Sequence, residues 1–186
     1  MVPPDDTPGG IRGNRPRMGG DRVPRPRPPA APPVKHAQSP PVTQQAPAPK
    51  VAAKKRVLFV CIGNSCRSQM AEAFARAYGA DVMTVESAGL SPATIIQPLT
   101  IQMLAERNLN VNGQFPKNLE VVLRQPFDLV VNLSGHPLPV PGLRVVTWAV
   151  ADPIGQKEAV YRTVVSQIEG LVMSLIMLLR SGRLPA

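Results

Sequence analysis

Apolar and polar positions recur in regular patterns between residues 55 and 180, and no such pattern precedes them. Val57-Leu58-Phe59-Val60 is an unbroken apolar run, as expected of a strand buried on both faces. After Arg67 the period lengthens. Met70, Phe74 and Tyr78 stand four apart with Ala71 and Ala75 beside them, predicting a helix that Gly79 stops. Val82 to Ser87 alternates as a second strand. Pro98 fits the first turn of a second helix with Ile101, Leu104 and Ala105 on one face, broken at Asn110 to Gly113. Asn118 to Arg124 predicts a short helix closed before Pro126. Phe127 to Leu133 and Arg144 to Trp148 are the third and fourth strands. Lys157 to about Arg180 is a long amphipathic helix with Val160, Val164, Ile168, Leu171, Leu175 and Leu179 facing inward. Strands alternating with helices predict an α/β fold: a parallel sheet, right-handed crossovers and helices on both faces. Ligands of such sheets bind beyond the strand C-termini.

Residues 1–53 break this pattern. They hold 14 of the 23 prolines and almost no large apolar side chains. Such a segment cannot bury enough surface to offset its ordering entropy, so residues 1–53 are expected to be a disordered Pro/Arg-rich tail and residues 54–186 the folded domain. Pro26 to Pro29 and Pro29 to Pro32 have PxxP spacing, which leaves docking as a use for the tail but names no partner. The net charge of +9 belongs mostly here, since 11 of the 21 lysines and arginines fall in residues 1–56 with only three of the 12 acidic residues. The domain itself gives no reason to expect nucleic acid. The longest apolar run, Leu171 to Leu179, is short of the ~20 residues of a membrane span, and no signal-peptide pattern opens the chain. Two cysteines in one loop cannot staple a fold, so a reducing cytoplasm is the expected setting.

That loop is the chemistry-bearing stretch. Cys61 ends the first strand, and Ile62, Gly63, Asn64, Ser65 and Cys66 lead to Arg67 at the helix start. Gly63 and Asn64 tolerate positive φ, so the chain can turn there. Backbone N–H groups of such a turn, with a helix N-terminus behind them, favour an anion. Arginine's planar fork grips two oxygens of a tetrahedral oxyanion. The same field favours a thiolate at Cys61, a nucleophile held beneath the oxyanion. A buried structural thiol is the plainer reading of Cys61, and the strand–Gly-Asn–helix context weighs against it. Asp152 follows the fourth strand, so it emerges at the same sheet edge, and Pro153 stiffens its loop. It is the candidate general acid, against the plainer reading of an Asp-Pro turn opening the last helix. His136, in a Pro-rich loop, is expected to be exposed or structural. Acidic and histidine residues are too scattered to predict a metal site, and no cofactor is required. Cys66 lies five residues from Cys61 in a loop that curls on itself, predicting a Cys61–Cys66 disulfide under mild peroxide.

Val60-Cys61-Ile62-Gly63-Asn64-Ser65-Cys66-Arg67-Ser68 resembles the signature loop of the low-molecular-weight protein tyrosine phosphatase superfamily, which also contains thiol-dependent arsenate reductases. The resemblance runs from about residue 55 to about residue 180. It implies a three-layer sandwich around a four-stranded parallel sheet in order 2-1-3-4. It implies that Cys61 forms a phosphocysteine, that Arg67 and the amides from Ile62 to Arg67 hold the oxyanion, and that Asn64 secures the loop. It further implies that Ser68 donates to the thiolate, and that Asp152 protonates the leaving group and then activates water.

The two branches of the superfamily leave different marks. Ser68-Gln69-Met70-Ala71-Glu72, Ser87-Ala88-Gly89 and Asp152-Pro153-Ile154-Gly155 look like arsenate reductases, and Ile154-Gly155 stands where eukaryotic-type phosphatases carry two tyrosines. Against this, Asn132 to Pro139 lacks the cysteine that a thioredoxin-coupled relay uses. The sequence therefore leads to a phosphatase acting on phosphotyrosine-type or other aryl phosphate esters. A single-cysteine arsenate reductase using an external low-molecular-weight thiol is the alternative, and a non-catalytic phosphate-loop module is the third reading. Trp148 and Tyr161 are the aromatic residues available to form a wall at the site.

Overall fold

The structure is a computed structural model that describes Arg27 and residues 53–185. The expectation of a disordered tail therefore concerns residues that, Arg27 and Ala53 apart, lie outside those described. The elements follow in the order β1 (Lys55–Cys61), α1 (Arg67–Tyr78), β2 (Met83–Gly89), α2 (Pro98–Ala105), α3 (Leu119–Val122), β3 (Leu129–Asn132), β4 (Val145–Thr147) and α4 (Glu158–Arg180). The four strands form one parallel sheet in the order β2-β1-β3-β4.

β1 is flanked by β2 and β3, and its apolar run is buried on both faces. Val57, Phe59 and Cys61 point into a core built with α1, α2 and α4. Leu58 and Val60 point the other way, against Leu119 and Val122 of α3 and Phe127 and Val140. The second face is thus covered by a single helical turn and loops. The register sets Cys61 beside Gly89, Val60 beside Asn132 and Asn132 beside Thr147, which gathers the strand C-termini at one edge.

Local differences from the sequence pattern have physical causes. Tyr78 is 38% exposed and rests on Phe74, so the buried stripe of α1 stops at Ala75. Gly79 does not close α1 through a left-handed backbone, since its φ is −119°. A Cβ there would lie 2.5 Å from the flexible end of Met83 and 3.0 Å from Ile176 Cγ1, so a side chain would have to displace both. The inward face of α4 is wider than the pattern drew it: Tyr161, Val165, Val172 and Ile176 join Val164, Ile168, Leu175 and Leu179, while Val160 and Leu171 sit at the margin. Taken whole, α4 is long and apolar enough to cross a membrane by length and composition. Its apolar stripe is nevertheless used against α1, α2 and the sheet, as in a core helix of a globular fold. β3 starts late because Asp128 turns its carboxylate to accept the Arg56 N–H at 2.7 Å.

Candidate active site

The loop between β1 and α1 is held from outside through its carbonyl groups. Leu90 N–H donates to Cys61 O, Ser91 N–H to Ile62 O, Ala93 N–H to Gly63 O and Gln97 N–H to Ser65 O, at 2.9–3.1 Å. Met70 N–H takes Cys66 O as α1 begins, at 2.9 Å. The remaining carbonyl, that of Asn64, accepts from Gln69 Nε2 at 2.8 Å. The N–H groups of residues 62–67 find no acceptor among the described residues. In trans peptides each of these N–H groups points opposite to the carbonyl before it, so the loop offers a set of uncommitted donors, as an anion seat requires. The segment after β2 runs close enough to supply these braces because residue 89 is glycine: a Cβ there would meet Ile62 O at 2.7 Å and Asn64 N at 2.9 Å.

Of the two residues expected to turn the loop, only Asn64 adopts positive φ, at 45°. A non-glycine residue in that region costs about 1–3 kcal/mol, and the side chain offsets it with three hydrogen bonds. Asn64 Nδ2 donates to Ser68 Oγ at 2.8 Å and to Ser87 Oγ at 2.7 Å, while Oδ1 accepts Lys117 N–H at 2.7 Å. This leaves the Ser87 proton for the carboxylate of Glu72. Ser87, already accepting from Asn64, donates to Glu72 Oε2 at 2.5 Å. Ser68 Oγ, also accepting from Asn64, lies 3.0 Å from Cys61 Sγ, within hydrogen-bond reach in either direction. Glu72 is fully buried, and its charge is matched by Arg76 and by Lys117 Nζ at 3.9 Å.

Arg67 is 4% exposed, with its guanidinium fixed by two groups that arrive after β4. Nη1 donates to Val150 O at 3.3 Å and Nη2 pairs with Asp152 Oδ2 at 2.5 Å. The other carboxylate oxygen of Asp152 accepts Ile154 N–H at 3.2 Å, an Asx turn that aims the side chain at the loop. Cys66 faces inward. Burial pushes its thiol up to about 12, helped by the charges of Cys61 and Asp152 and opposed by the Thr100 hydroxyl beside it. That hydroxyl is buried without an aligned hydrogen bond. Tyr161, 3% exposed, has its phenol pushed up by burial and by the fields of Cys66 and Asp152.

A model of the low molecular weight phosphotyrosine protein phosphatases matches residues 56–138. The glutaredoxin arsenate reductase of Synechocystis sp. is 38% identical over 127 residues, covering 66% of this chain and 96% of that protein. The chain belongs to the low-molecular-weight phosphatase family. Two solved structures extend the comparison. An arsenate reductase in its phosphate-binding state is 36% identical, covers 66% of this chain and 97% of its own, and superposes with a TM-score of 0.60. The YwlE arginine phosphatase of Geobacillus stearothermophilus is 26% identical, covers 69% and 94%, and superposes with a TM-score of 0.63.

Within this low-molecular-weight phosphatase fold, Cys61, Arg67, Ser68 and Asp152 come together at one edge of the sheet, with Ile62 to Cys66 between the first two. His136 does not join them: it is exposed, and its backbone only closes a turn with Asn132 and Ser134. Trp148 is partly buried and packs on Phe59, with ring centroids 5.8 Å apart. Tyr161 is buried beside Cys66. Neither stands as an exposed aromatic wall, and Ile154 and Gly155 are the residues at the surface after Asp152. Sequence patterning gave no partners to Gln69, Glu72, Ser87, Thr100, Gln114 and Lys117. The available signal was in α1, where Gln69 and Glu72 interrupt an otherwise apolar and small face. A polar side chain in a helix face that must be buried needs a partner.

Proposed function

We propose that this chain is an arsenate reductase working with an external thiol, with residues 54–186 as its catalytic domain. The similarity to arsenate reductases along nearly their whole length carries this reading. Cys61 attacks arsenic while arsenate is held by Arg67 and the amides of residues 62–67. The Cys61 S–As bond forms as an arsenate hydroxyl leaves with a proton from Asp152, as water. An external thiolate then attacks Cys61 Sγ. The electron pair of the S–As bond leaves with arsenic, which becomes As(III), and a mixed disulfide remains on Cys61. A second external thiol releases Cys61. The net reaction turns arsenate and two thiols into arsenite, a disulfide and water. Both cysteines of the chain lie in the loop and Cys66 is a buried, protonated thiol, so the second sulfur comes from outside, in a reducing compartment.

Hydrolysis of a phosphate monoester is the second reading. Asp152 beside Arg67 supports it, because hydrolysis needs a carboxylate base for water at the cysteine adduct, a step the reductase route lacks. Two parallel assays on the full chain separate the readings. One measures arsenite release with glutathione, with and without glutaredoxin. The other measures aryl phosphate hydrolysis with only enough reductant to keep Cys61 reduced. Arsenite turnover well above phosphate turnover is expected. Thiol-independent phosphate hydrolysis without arsenite release overturns the reductase reading.

A further inference from the structure

Five of the six tethered carbonyls in the loop are held by backbone N–H groups, which no side-chain substitution removes. The exception is the Asn64–Ser65 peptide. Its carbonyl hangs on one side-chain bond, from Gln69 Nε2 at 2.8 Å. Gln69 is fully buried, and its amide is itself fixed from the far side. Gln114 Nε2 donates to Gln69 Oε1 at 2.8 Å and to Gln69 O at 3.1 Å. A turned-over Gln69 amide would set oxygen against Asn64 O and nitrogen against Gln114 Nε2, so the two contacts permit one orientation.

We propose that Gln69, locked by Gln114, is a positioning residue that keeps the Asn64–Ser65 peptide turned so that Ser65 N–H faces the bound oxyanion. In a trans peptide, C=O and N–H are opposed, so pulling Asn64 O outward directs Ser65 N–H inward. Asn64 already sits at φ 45°. Rotation of this one peptide plane needs only paired changes in Asn64 ψ and Ser65 φ, and it would replace a donor in the anion seat with a carbonyl oxygen. The loop's affinity for a tetrahedral oxyanion then depends on an amide pair, buried Gln69 and half-buried Gln114, that never touches the ligand. Gln114 belongs to the segment between α2 and α3, which thereby gains a direct hold on the loop.

This inference rests on the loop as an oxyanion seat, and inorganic phosphate tests both on the full chain. Calorimetric titration gives the affinity, and the 15N–1H resonance of Ser65 reports its hydrogen bond. Gln69→Met should weaken phosphate binding about tenfold, the scale of one charge-assisted hydrogen bond, and should abolish the phosphate-induced shift of the Ser65 amide. Gln114→Met should weaken binding less. The double variant should bind no more weakly than Gln69→Met, because Gln114 acts through Gln69. Losses that multiply in the double variant, or unchanged affinity in Gln69→Met, overturn the proposal. Should Gln69→Met fail to fold, Gln114→Met decides: wild-type affinity with the Ser65 shift intact defeats it. A wild-type chain that binds neither phosphate nor arsenate defeats instead the oxyanion reading on which it rests.

Discussion

Arg67 and Asp152, 85 residues apart in sequence, share an ion pair of 2.5 Å between Nη2 and Oδ2. The carboxylate therefore occupies part of the fork that would grip an oxyanion, and it lies near any anion bound there. Replacing Asp152 with Asn removes both the competition and the repulsion. Asp152→Asn is expected to bind inorganic phosphate as tightly as wild type or several-fold tighter, while turnover falls about 10²–10⁴-fold, the range of a lost general acid. Aryl phosphates with poor leaving groups should lose more than those with good ones. Equal losses for both kinds would remove Asp152 from the acid role.

Cys61 is the nucleophile in both readings, so one substitution tests their common ground. Cys61→Ser should lose nearly all turnover with arsenate and with aryl phosphate, yet keep the phosphate affinity of the loop, whose donors are unchanged. A variant that still turns over either substrate would place the nucleophile elsewhere.

Cys66 gives a pH signature. Its thiol is held up at about 12 against an ordinary value of 9.0. Between those values the unfolded chain gives up this proton and the folded chain keeps it, so Cys66 lowers stability as pH rises past 9.0. The loss is at most about 1.4 kcal/mol per pH unit. Comparing urea midpoints of wild type and Cys66→Ala from pH 8 upward should show wild type losing stability faster. Parallel curves would mean that the thiol is not held protonated.

The same protonation bears on the disulfide expected from the loop spacing. Attack by Cys66 on oxidised Cys61 needs its thiolate, so peroxide-driven Cys61–Cys66 bond formation should be slow near pH 7 and accelerate with rising pH. Mass spectrometry of peroxide-treated protein measures this, and a rate independent of pH would contradict it.

Gly89 tests the fit between β2 and the loop. A methyl group at this residue meets backbone atoms of Ile62 and Asn64 at 2.7 and 2.9 Å, and neither can move aside as a flexible side chain would. Gly89→Ala should cost about 1–3 kcal/mol of stability, as other overpacked sites do, and should weaken phosphate binding. Unchanged phosphate affinity would show that the loop accommodates the shift.

The sequence by itself determined the sheet elements, the loop and its main residues. A four-residue apolar run, a Gly-Asn turn and a helical repeat are local patterns, and local sterics and periodicity suffice to read them. Cys61, Arg67 and Ser68 come from eight consecutive residues, so their mutual placement is nearly fixed once strand, loop and helix are recognised. Asp152 was legible for a topological reason, since every parallel strand ends at the same edge. Only the tertiary structure decided the rest. Gln69 and Gln114, Asn64 and Ser87, and Glu72 and Lys117 meet across 45, 23 and 45 residues of chain. These contacts exist because α1, β2 and the segment before α3 converge behind the loop, where polar groups removed from water need partners. The width of the inward face of α4 was set likewise by its packing against α1, α2 and the sheet at once, which no single helical period encodes. The loop's positive φ at Asn64 rather than Gly63 has the same origin, since the partners that hold it there lie on three other segments.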